Sequence, residues 1–320
     1  MSDHPVDLAM IEAAAQRIRG RVRETPVLDP QPMRGPVLDA GRLLLKLECL
    51  QVTGSFKARG ASNKLATLDA NARRRGLVTA SGGNHGLAVA YAAASAGVPA
   101  AIFVPESTPA AKVQKLRQWG AEVTVTGRVW DEAQEAALAA QQARGLAYVH
   151  PFADPEVIAG QGTLGLEILR QVPHADTLVV AIGGGGLIAG IAAAAKAIRP
   201  GIRIVGVEPT GAPTLYESLK AGALVTLDAI ETASGSLAPR RSMPINLDLI
   251  AAHVDRMVLV TDEEMRRAAE WLWFETGVAA ELAGAASLAA LMTGRHRPAA
   301  DETVVAVICG AGTDGLGLAA

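Results

Sequence analysis

The chain has 320 residues, of which 50% are hydrophobic, 19% are charged and 3% are aromatic, and its formal net charge is −2 at pH 7. This length supports one large domain or two medium domains, and the balanced charge with no basic tract argues against nucleic-acid partners. Its two cysteines, Cys49 and Cys309, are isolated, and no Cys/His cluster has zinc spacing. The polar, acidic start does not resemble a signal peptide. We therefore expect a cytoplasmic protein in a reducing compartment.

The elements predicted in the first half of the chain alternate between helix and strand. An apolar stripe at helical spacing predicts a helix over 9–23. Strands are predicted at 43–47, 77–80, 100–104 and 122–125, and helices at 58–68, 87–96, 109–119 and 131–143. Thr108 is the expected N-cap of the helix at 109–119, with Pro109 at its first position.

The alternation resumes after a predicted domain crossing at 150–155. Strands are predicted at 177–182, 202–207 and 303–308, and helices at 187–198, 263–275 and 283–291. This repeated pattern with short turns predicts an α/β fold with a parallel sheet. The uncharged stretch 178–195 is long enough for a transmembrane helix, but four glycines interrupt it. We interpret it as a buried strand, a loop and a helix, and expect no membrane contact.

Lys57 is the first candidate functional residue. It lies between Phe56 and Ala58, just after the predicted strand at 43–47. A lysine among apolar and small residues at the mouth of a strand can lose hydration, which lowers the pKa of its amine and makes it a nucleophile. A solvated surface charge is the alternative for any single lysine.

A run of glycines separates the predicted strand at 177–182 from the following helix: Gly183, Gly184, Gly185 and Gly186. Without Cβ atoms the backbone can approach an anion, and the helix N-terminus favours a phosphate there. The alternatives are a tight turn without a ligand and a nicotinamide-dinucleotide site that uses Glu208. The spacing fails the dinucleotide fingerprint because position 188 is not glycine, and no Lys-Ser/Thr follows as in a Walker motif.

Two other strand ends carry polar or reactive groups. The loop Ser81-Gly82-Gly83-Asn84-His85 follows the strand at 77–80, and its amides, hydroxyl and carboxamide suit a carboxylate or a phenolic oxygen. Helix capping explains the same residues equally well. Cys309 ends the last predicted strand beside glycines, where ligands of open α/β sheets bind, although free cysteines are usually buried apolar residues.

Taken in order, these motifs resemble the serine/threonine dehydratase family of pyridoxal-phosphate enzymes, the fold type II or tryptophan-synthase β-like group. The resemblance covers nearly the whole chain, in segments 53–61, 81–86, 160–163, 183–187 and 309–312. It implies an α/β fold with two domains, each a mainly parallel twisted sheet flanked by helices. The large cofactor-binding domain would comprise 1–57 and 151–320, and the small mobile domain 58–150.

The resemblance also assigns roles to the motif residues. Lys57 would bind pyridoxal 5′-phosphate as a Schiff base, Phe56 would pack on its ring, and Asn84 would bond its phenolic oxygen. The phosphate would bind to the four glycines and the Leu187 amide. Cys309 would contact the pyridine nitrogen, and such a neutral partner favours β-elimination. The substrate carboxylate would be held by the loop Ser81, Gly82, Gly83, Asn84 and His85.

The implied reaction converts a small β-hydroxy amino acid, L-threonine or L-serine first, to a 2-oxo acid and ammonia. Lys57 would remove the Cα proton, and the cofactor phosphate would protonate the departing hydroxyl. Three alternatives are another substrate (phenylserine, 3-hydroxyaspartate or a hydroxyectoine breakdown product), serine racemisation, and a cofactor-binding sensor without catalysis.

Three departures from the family pattern narrow these expectations. Gly82 stands where eukaryote-type serine racemases carry the serine that reprotonates the opposite face, so elimination is expected over racemisation. Glu208 and the Ala212 carbonyl match two ligands of the family's metal site, but Thr214 replaces an acid, which leaves a divalent or monovalent cation as an alternative. The chain ends soon after Cys309, so we expect no regulatory domain and no feedback by isoleucine.

Glu281 and Gly235 are two further candidate site residues. Glu281 matches a glutamate that the family places near the active site, although its neighbours differ and a solvated carboxylate at a helix start is an equal alternative. The family is often dimeric, so a homodimer is expected, with Trp271, Trp273 and Phe274 in the core or at the interface.

Overall fold

The computed structural model describes residues 5–31 and 34–312. The ends of the larger predicted domain, 1–4 and 313–320, lie outside the described residues, and so does the motif residue Thr313. Along the described part, strands and helices alternate as the sequence predicts for an α/β fold.

The described residues form two sheets from ten strands. In chain order these are β1 (Val27–Leu28), β2 (Arg42–Lys46), β3 (Leu77–Ala80), β4 (Ala100–Val104), β5 (Glu122–Val125), β6 (Ala147–Tyr148), β7 (Thr177–Ala181), β8 (Arg203–Pro209), β9 (Arg256–Val260) and β10 (Thr303–Val307). The larger sheet has the order β1-β2-β10-β7-β8-β9, and the smaller has β5-β4-β3-β6. Only β1 pairs antiparallel with its neighbour among these strands.

The helices pack on the faces of these sheets. Those of the described residues are α1 (Leu8–Ile18), α2 (Lys57–Thr67), α3 (Ala70–Arg75), α4 (Asn84–Ala96), α5 (Ala110–Gln118), α6 (Trp130–Arg144), α7 (Pro155–Gln171), α8 (Gly186–Ile198), α9 (Thr214–Ala221), α10 (Pro244–His253), α11 (Asp262–Thr276) and α12 (Leu282–Met292). The strands β2, β7, β8 and β10 belong to one apolar core, and β3 and β4 contribute to two smaller cores. None of the described helices has the length and apolar composition needed to traverse a bilayer.

The topology brings the sequence motifs to one place. In a parallel sheet, the carboxyl ends of neighbouring strands lie at the same edge. The Lys57 loop follows β2, Cys309 follows β10 and the glycine run follows β7, and these three strands are adjacent. The loop at 81–85 follows β3 of the smaller sheet and opens α4.

Several predicted element bounds are wrong. The first helix ends at Ile18 instead of 23, because the chain turns at Gly20 with φ of +75°. The N-cap of α5 is Pro109 rather than Thr108, and no side-chain hydrogen bond caps that helix. The elements that the sequence prediction omitted are β1, α3, β6, α7, α9, α10 and β9.

The buried helix α7 is the longest element that the prediction omitted. Its start carries clear signals, since Asp154 accepts hydrogen bonds from the N–H groups of Glu156 and Val157, and Pro155 takes the first position. Glycines within the helix obscure its apolar periodicity. They serve close packing, because a Cβ on Gly160 would lie 2.6 Å from Gly60 Cα on α2.

Candidate active site

The loop before Lys57 is fastened to the end of β10. The N–H of Phe56 donates to the Cys309 carbonyl at 3.2 Å, and the N–H of Ala311 donates to the Gly54 carbonyl at 2.8 Å. An antiparallel bridge joins Ser55 to Gly310. The chain turns sharply here, with φ of +82° at Gly54, so the loop delivers Lys57 as the first residue of α2.

The Lys57 amine is poorly hydrated. Its Nζ donates a hydrogen bond of 2.6 Å to the Pro151 carbonyl and lies 5.1 Å from the centre of the Phe56 ring. Desolvation lowers the pKa of Lys57 from 10.5 to about 8, although the nearby Glu281 carboxylate partly offsets the shift. The prediction of a reactive rather than a solvated lysine therefore has support in the geometry.

The four glycines of the β7–α8 turn each face another part of the chain. A Cβ on Gly184 would lie 2.2 Å from the Phe152 ring, and one on Gly186 would lie 2.5 Å from the Phe152 carbonyl oxygen. A Cβ on Gly183 would lie 2.7 Å from the Ser236 carbonyl oxygen, which places the Gly235 segment beside the run. Gly185 has φ of +93° and is the N-cap of α8.

The glycines thus permit close packing, which the sequence analysis did not anticipate. An anion site remains available at the same place. The first N–H groups of α8, which begins at Gly186 and continues with Leu187, have no acceptor within the helix, and the helix dipole is positive at this end. A phosphate bound there would accept from those amides.

Two side chains that the sequence analysis missed support the glycine run. Ser242 Oγ donates to the Gly184 carbonyl at 2.9 Å, and Asn246 Nδ2 donates to the Phe152 carbonyl at 3.0 Å. The Asn246 Oδ1 atom is buried and has no hydrogen-bond partner. These residues come from distant segments with no local motif, so only the fold reveals them.

Asn84 and Glu281 meet across the site. Asn84 Nδ2, at the start of α4, donates to Glu281 Oε1 at 2.6 Å, while Glu281 Oε2 accepts from Ser236 Oγ at 3.1 Å. The Asn84 Oδ1 atom is buried without a partner. Glu281 also precedes α12 as its N-cap, but it makes no side-chain cap bond. Of the two explanations considered for Glu281, the structure favours a residue directed towards the site.

The other residues of the loop at 81–85 differ in how closely the rest of the protein surrounds them. A Cβ on Gly83 would meet no atom within 4 Å, whereas one on Gly82 would lie 2.8 Å from Thr108 Cγ2. Ser81 Oγ accepts from the Gly83 N–H at 3.3 Å. The His85 ring is turned away into the protein, where Nε2 contacts the Val149 carbonyl at 2.9 Å. Backbone amides and the open face of Gly83 are therefore the groups here that can meet a carboxylate.

Two histidines near the amine are neutral. Desolvation, reinforced by the charge of Lys57, lowers the pKa of His85 to about 3 and that of His150 to about 4. His150 Nδ1 accepts from the N–H groups of Phe152 and Ala153, at 3.2 and 2.9 Å. The segment 150–152, predicted only as a domain crossing, thus supplies contacts to both Lys57 and the glycine run.

Cys309 is buried, and its Sγ donates to the Ala283 carbonyl at 3.4 Å. Burial raises the pKa of this thiol far above its ordinary value, so the group is neutral. From the sequence, an uncharged group is expected at Cys309 as the contact of the pyridine nitrogen, and the thiol at the end of β10 is uncharged.

The geometry around Glu208 does not fit a metal site. Both of its carboxylate oxygens accept backbone N–H groups at the start of α9, from Leu215 at 2.9 Å and Tyr216 at 2.7 Å. Burial raises the pKa of Glu208 to about 8. Thr214 Oγ1 donates to the Pro239 carbonyl, and the described residues contain no group of three metal-binding side chains. The arrangement of Glu208 and Ala212 therefore favours a structural role at the start of α9 over a metal site.

The site therefore combines a partly buried amine, a helix start suited to an anion, a carboxamide and a neutral thiol at the carboxyl ends of parallel strands, which defines a cofactor-dependent α/β enzyme. Residues 18–310 match the family described as pyridoxal-phosphate dependent enzymes. The chain belongs to this family, and its cofactor is pyridoxal 5′-phosphate.

Known relatives agree with this assignment. The chain is 42% identical to an L-threonine ammonia-lyase of Geobacter sulfurreducens, over 92% of this chain and 73% of that enzyme. It is 43% identical to an L-threonine ammonia-lyase of Thermotoga maritima over 79% of its own length, and the match spans 63% of that enzyme. The solved structure of maize serine racemase superposes with a TM-score of 0.92 at 34% identity, covering 96% of this chain and 94% of that one.

The residues present fit the cofactor. Lys57 offers an amine that is partly unprotonated at neutral pH, α8 offers amides for the phosphate, and Asn84 has an unpartnered buried oxygen beside its amide group. The individual contacts predicted for Phe56, Asn84, Leu187 and Cys309 with the cofactor stay predictions.

Proposed function

We propose that this protein catalyses the pyridoxal-phosphate-dependent β-elimination of water from a small β-hydroxy amino acid, with release of a 2-oxo acid and ammonia. L-Threonine and L-serine are the first substrates to test. The observation that carries the proposal is the partly buried Lys57 amine, whose pKa is about 8, beside the α8 helix start and Asn84. The L-threonine ammonia-lyases among the relatives support the same reaction class.

When bound, the cofactor supplies an electron sink for the pair left behind as the substrate Cα loses its proton. Lys57 Nζ is the base, because its lowered pKa leaves part of the amine free to accept that proton near neutral pH. The α8 amides would hold the phosphate, and the amides of the 81–85 loop would orient the substrate carboxylate against the open face of Gly83.

Elimination is favoured over racemisation because Lys57 is the base identified on one face and Gly82 offers no hydroxyl on the other. A serine at position 82 would also need space that Thr108 occupies, since a Cβ there lies 2.8 Å from Thr108 Cγ2. Phenylserine belongs on the substrate panel, because a relative of 36% identity from Ralstonia pickettii is a phenylserine dehydratase.

Three broader proposals accompany this function. The segment 58–150 would act as a mobile unit that closes over the substrate, supported by its separate parallel sheet. The protein would be a homodimer, supported by the exposure of Trp273 (53%) and Phe274 (70%). It would work in the cytoplasm, supported by two buried cysteines that remain free thiols.

The test compares wild-type protein with Lys57→Ala. Purified wild-type protein should be yellow with bound cofactor and should form 2-oxobutanoate and ammonia from L-threonine. The variant should lose both the visible absorbance and the activity, by about 10³-fold or more for a residue that is both attachment point and base. Lys220→Ala is the control, since Lys220 is an exposed lysine whose contacts, with Glu217 and the Tyr216 ring, lie within its own helix.

A wild-type protein that binds the cofactor but releases no ammonia from any β-hydroxy amino acid on the panel would overturn the proposal. That result would instead favour the sensor alternative.

A further inference from the structure

A buried network of charges lies behind the helix that carries Lys57. Arg59 is 1% exposed, and its Nε and Nη2 atoms donate to the two oxygens of Glu48 at 2.8 and 2.7 Å. Nη2 also lies 2.9 Å from Glu167 Oε2, and Nη1 donates to Thr163 Oγ1 at 3.3 Å. One guanidinium therefore joins α2 to the turn after β2 and to two positions on α7.

A second buried cation completes the network. Lys46 Nζ, at the end of β2, donates to Glu167 Oε1 at 2.6 Å, Gln171 Oε1 at 2.7 Å and the Thr25 carbonyl at 2.6 Å. Burial alone would raise the pKa of Glu48, but the charge and hydrogen bonds of Arg59 hold it below its ordinary value. Two cations thus face two carboxylates, and none of the four charges is left unpaired.

The network and Lys57 project from opposite sides of α2. Two residues along a helix turn the side chain by about 200°, so Arg59 points away from the face that carries Lys57. Beside Arg59, the N–H of Gly60 donates to Gln161 Oε1 at 3.2 Å, and the backbones of Gly60 and Gly160 are in contact. These contacts therefore fix the first turn of α2 both in its rotation about the helix axis and in its position along α7.

We propose that Arg59 is the positioning residue of Lys57: its fork, held by Glu48, Glu167 and Thr163, sets the rotation of α2 and thereby the place of the Lys57 amine. This role rests on Lys57 as the cofactor-bearing residue of the proposed function. It also gives the Gly160-Gln161-Gly162-Thr163 segment a purpose, as the surface on which the lysine helix is seated.

The test replaces Arg59 by lysine, which keeps the charge but cannot bond both carboxylates with a fixed fork. Apoprotein is titrated with pyridoxal 5′-phosphate to obtain the dissociation constant, and the visible absorbance of the bound cofactor is followed against pH. We expect Arg59→Lys to raise the dissociation constant about tenfold or more and to shift the midpoint of the absorbance titration. Arg144→Lys is the matched control, because Arg144 also makes a two-pronged contact with one glutamate, Glu122, but on the surface and through Nη1 and Nη2.

A merely structural role predicts something different. If Arg59→Lys lowers the melting temperature but keeps the wild-type dissociation constant and midpoint, the proposal is overturned. If that variant does not fold, Thr163→Val decides, since it removes one partner of the fork and leaves the charges. A threefold rise in its dissociation constant supports the proposal, and a wild-type value overturns it. The dissociation constant and the absorbance midpoint are measured without any amino-acid substrate. This test therefore stays valid even if the proposed reaction is not observed.

Discussion

Loss of hydration gives the partly buried Lys57 amine a reactivity that an exposed lysine lacks at neutral pH. The sequence identified this residue from its apolar and small neighbours, and the structure adds the cause of its lowered pKa. The amine is enclosed by the Phe56 ring and the Pro151 carbonyl. Pro151 lies far along the chain, which is why the sequence predicts a plausible chemistry for Lys57 but no partner.

The pH dependence of cofactor attachment tests this environment. With a pKa of about 8, about a tenth of the Lys57 amine is unprotonated at pH 7, and that form attacks the cofactor aldehyde. We expect the attachment rate of apoprotein to rise about tenfold between pH 7 and pH 9 and then level off. Stopped-flow absorbance measures it. A rate that keeps climbing towards pH 10.5, the ordinary pKa of lysine, would contradict the prediction.

Two features allow the midpoint of this pH dependence of cofactor attachment to be assigned to Lys57. His85 and His150 are already neutral over this range, since their pKa values are about 3 and about 4. The Glu281 carboxylate stabilises the ammonium form, so Glu281→Gln should move the midpoint to lower pH. Glu217→Gln, at an exposed glutamate, should leave it in place.

Gly82 offers a second prediction at the scale of one residue. Gly82→Ser alone should lose activity, because its Cβ would come within 2.8 Å of Thr108 Cγ2. The double variant Gly82→Ser, Thr108→Ala removes that obstacle and supplies the hydroxyl that, by the family resemblance, would act on the face opposite Lys57. We expect it to regain elimination and to form D-serine from L-serine, measured by chiral chromatography. Recovered elimination without any D-serine would show that position 82 does not determine the outcome.

At the scale of elements, the four glycines of the turn between β7 and α8 serve two purposes, close packing and anion binding. Their lack of side chains lets Phe152 pack against the backbone, and the same turn leaves the first amides of α8 open to an anion. The sequence predicted the anion site from the glycines but not Phe152, because nothing local marks a contact made by a ring about thirty residues earlier. The omission of α7 has a related cause, since its glycines reflect contacts with α2 and α8 rather than a break in the helix.

Gly184→Ala should therefore impair both packing and cofactor binding. Its Cβ would lie 2.2 Å from Phe152 Cγ, and such overpacking typically costs about 1–3 kcal/mol. We expect a melting temperature lower by several degrees and a cofactor dissociation constant raised about tenfold. Gly201→Ala is the matched control, because a Cβ at Gly201 would meet no atom within 4 Å. Unchanged cofactor affinity in Gly184→Ala would mean that the β7–α8 turn does not bind the cofactor phosphate.

At the scale of the whole molecule, the site lies where helices from the two sheets meet. Asn84 begins α4, which packs on β3 and β4 of the smaller sheet, and Glu281 precedes α12, which packs on the larger sheet. Alternating strands and helices were enough to predict the α/β class with a parallel sheet, and the family resemblance implied its division into two sheets. They could not predict this meeting point, because 197 positions separate the two residues in sequence.

The Asn84–Glu281 bond should therefore couple the two halves of the molecule. A hydrogen bond to a charged group contributes about 1.5–3 kcal/mol, and this one is 2.6 Å long and partly buried. A double-mutant cycle of Asn84→Ala and Glu281→Ala, read by denaturant unfolding of the apoprotein, should give a coupling energy within that range. Glu281→Ala should also speed hydrogen exchange at the start of α4 more than in β7. Additive single effects, with equal exchange in both segments, would mean that the contact does not tie the smaller sheet to the larger one.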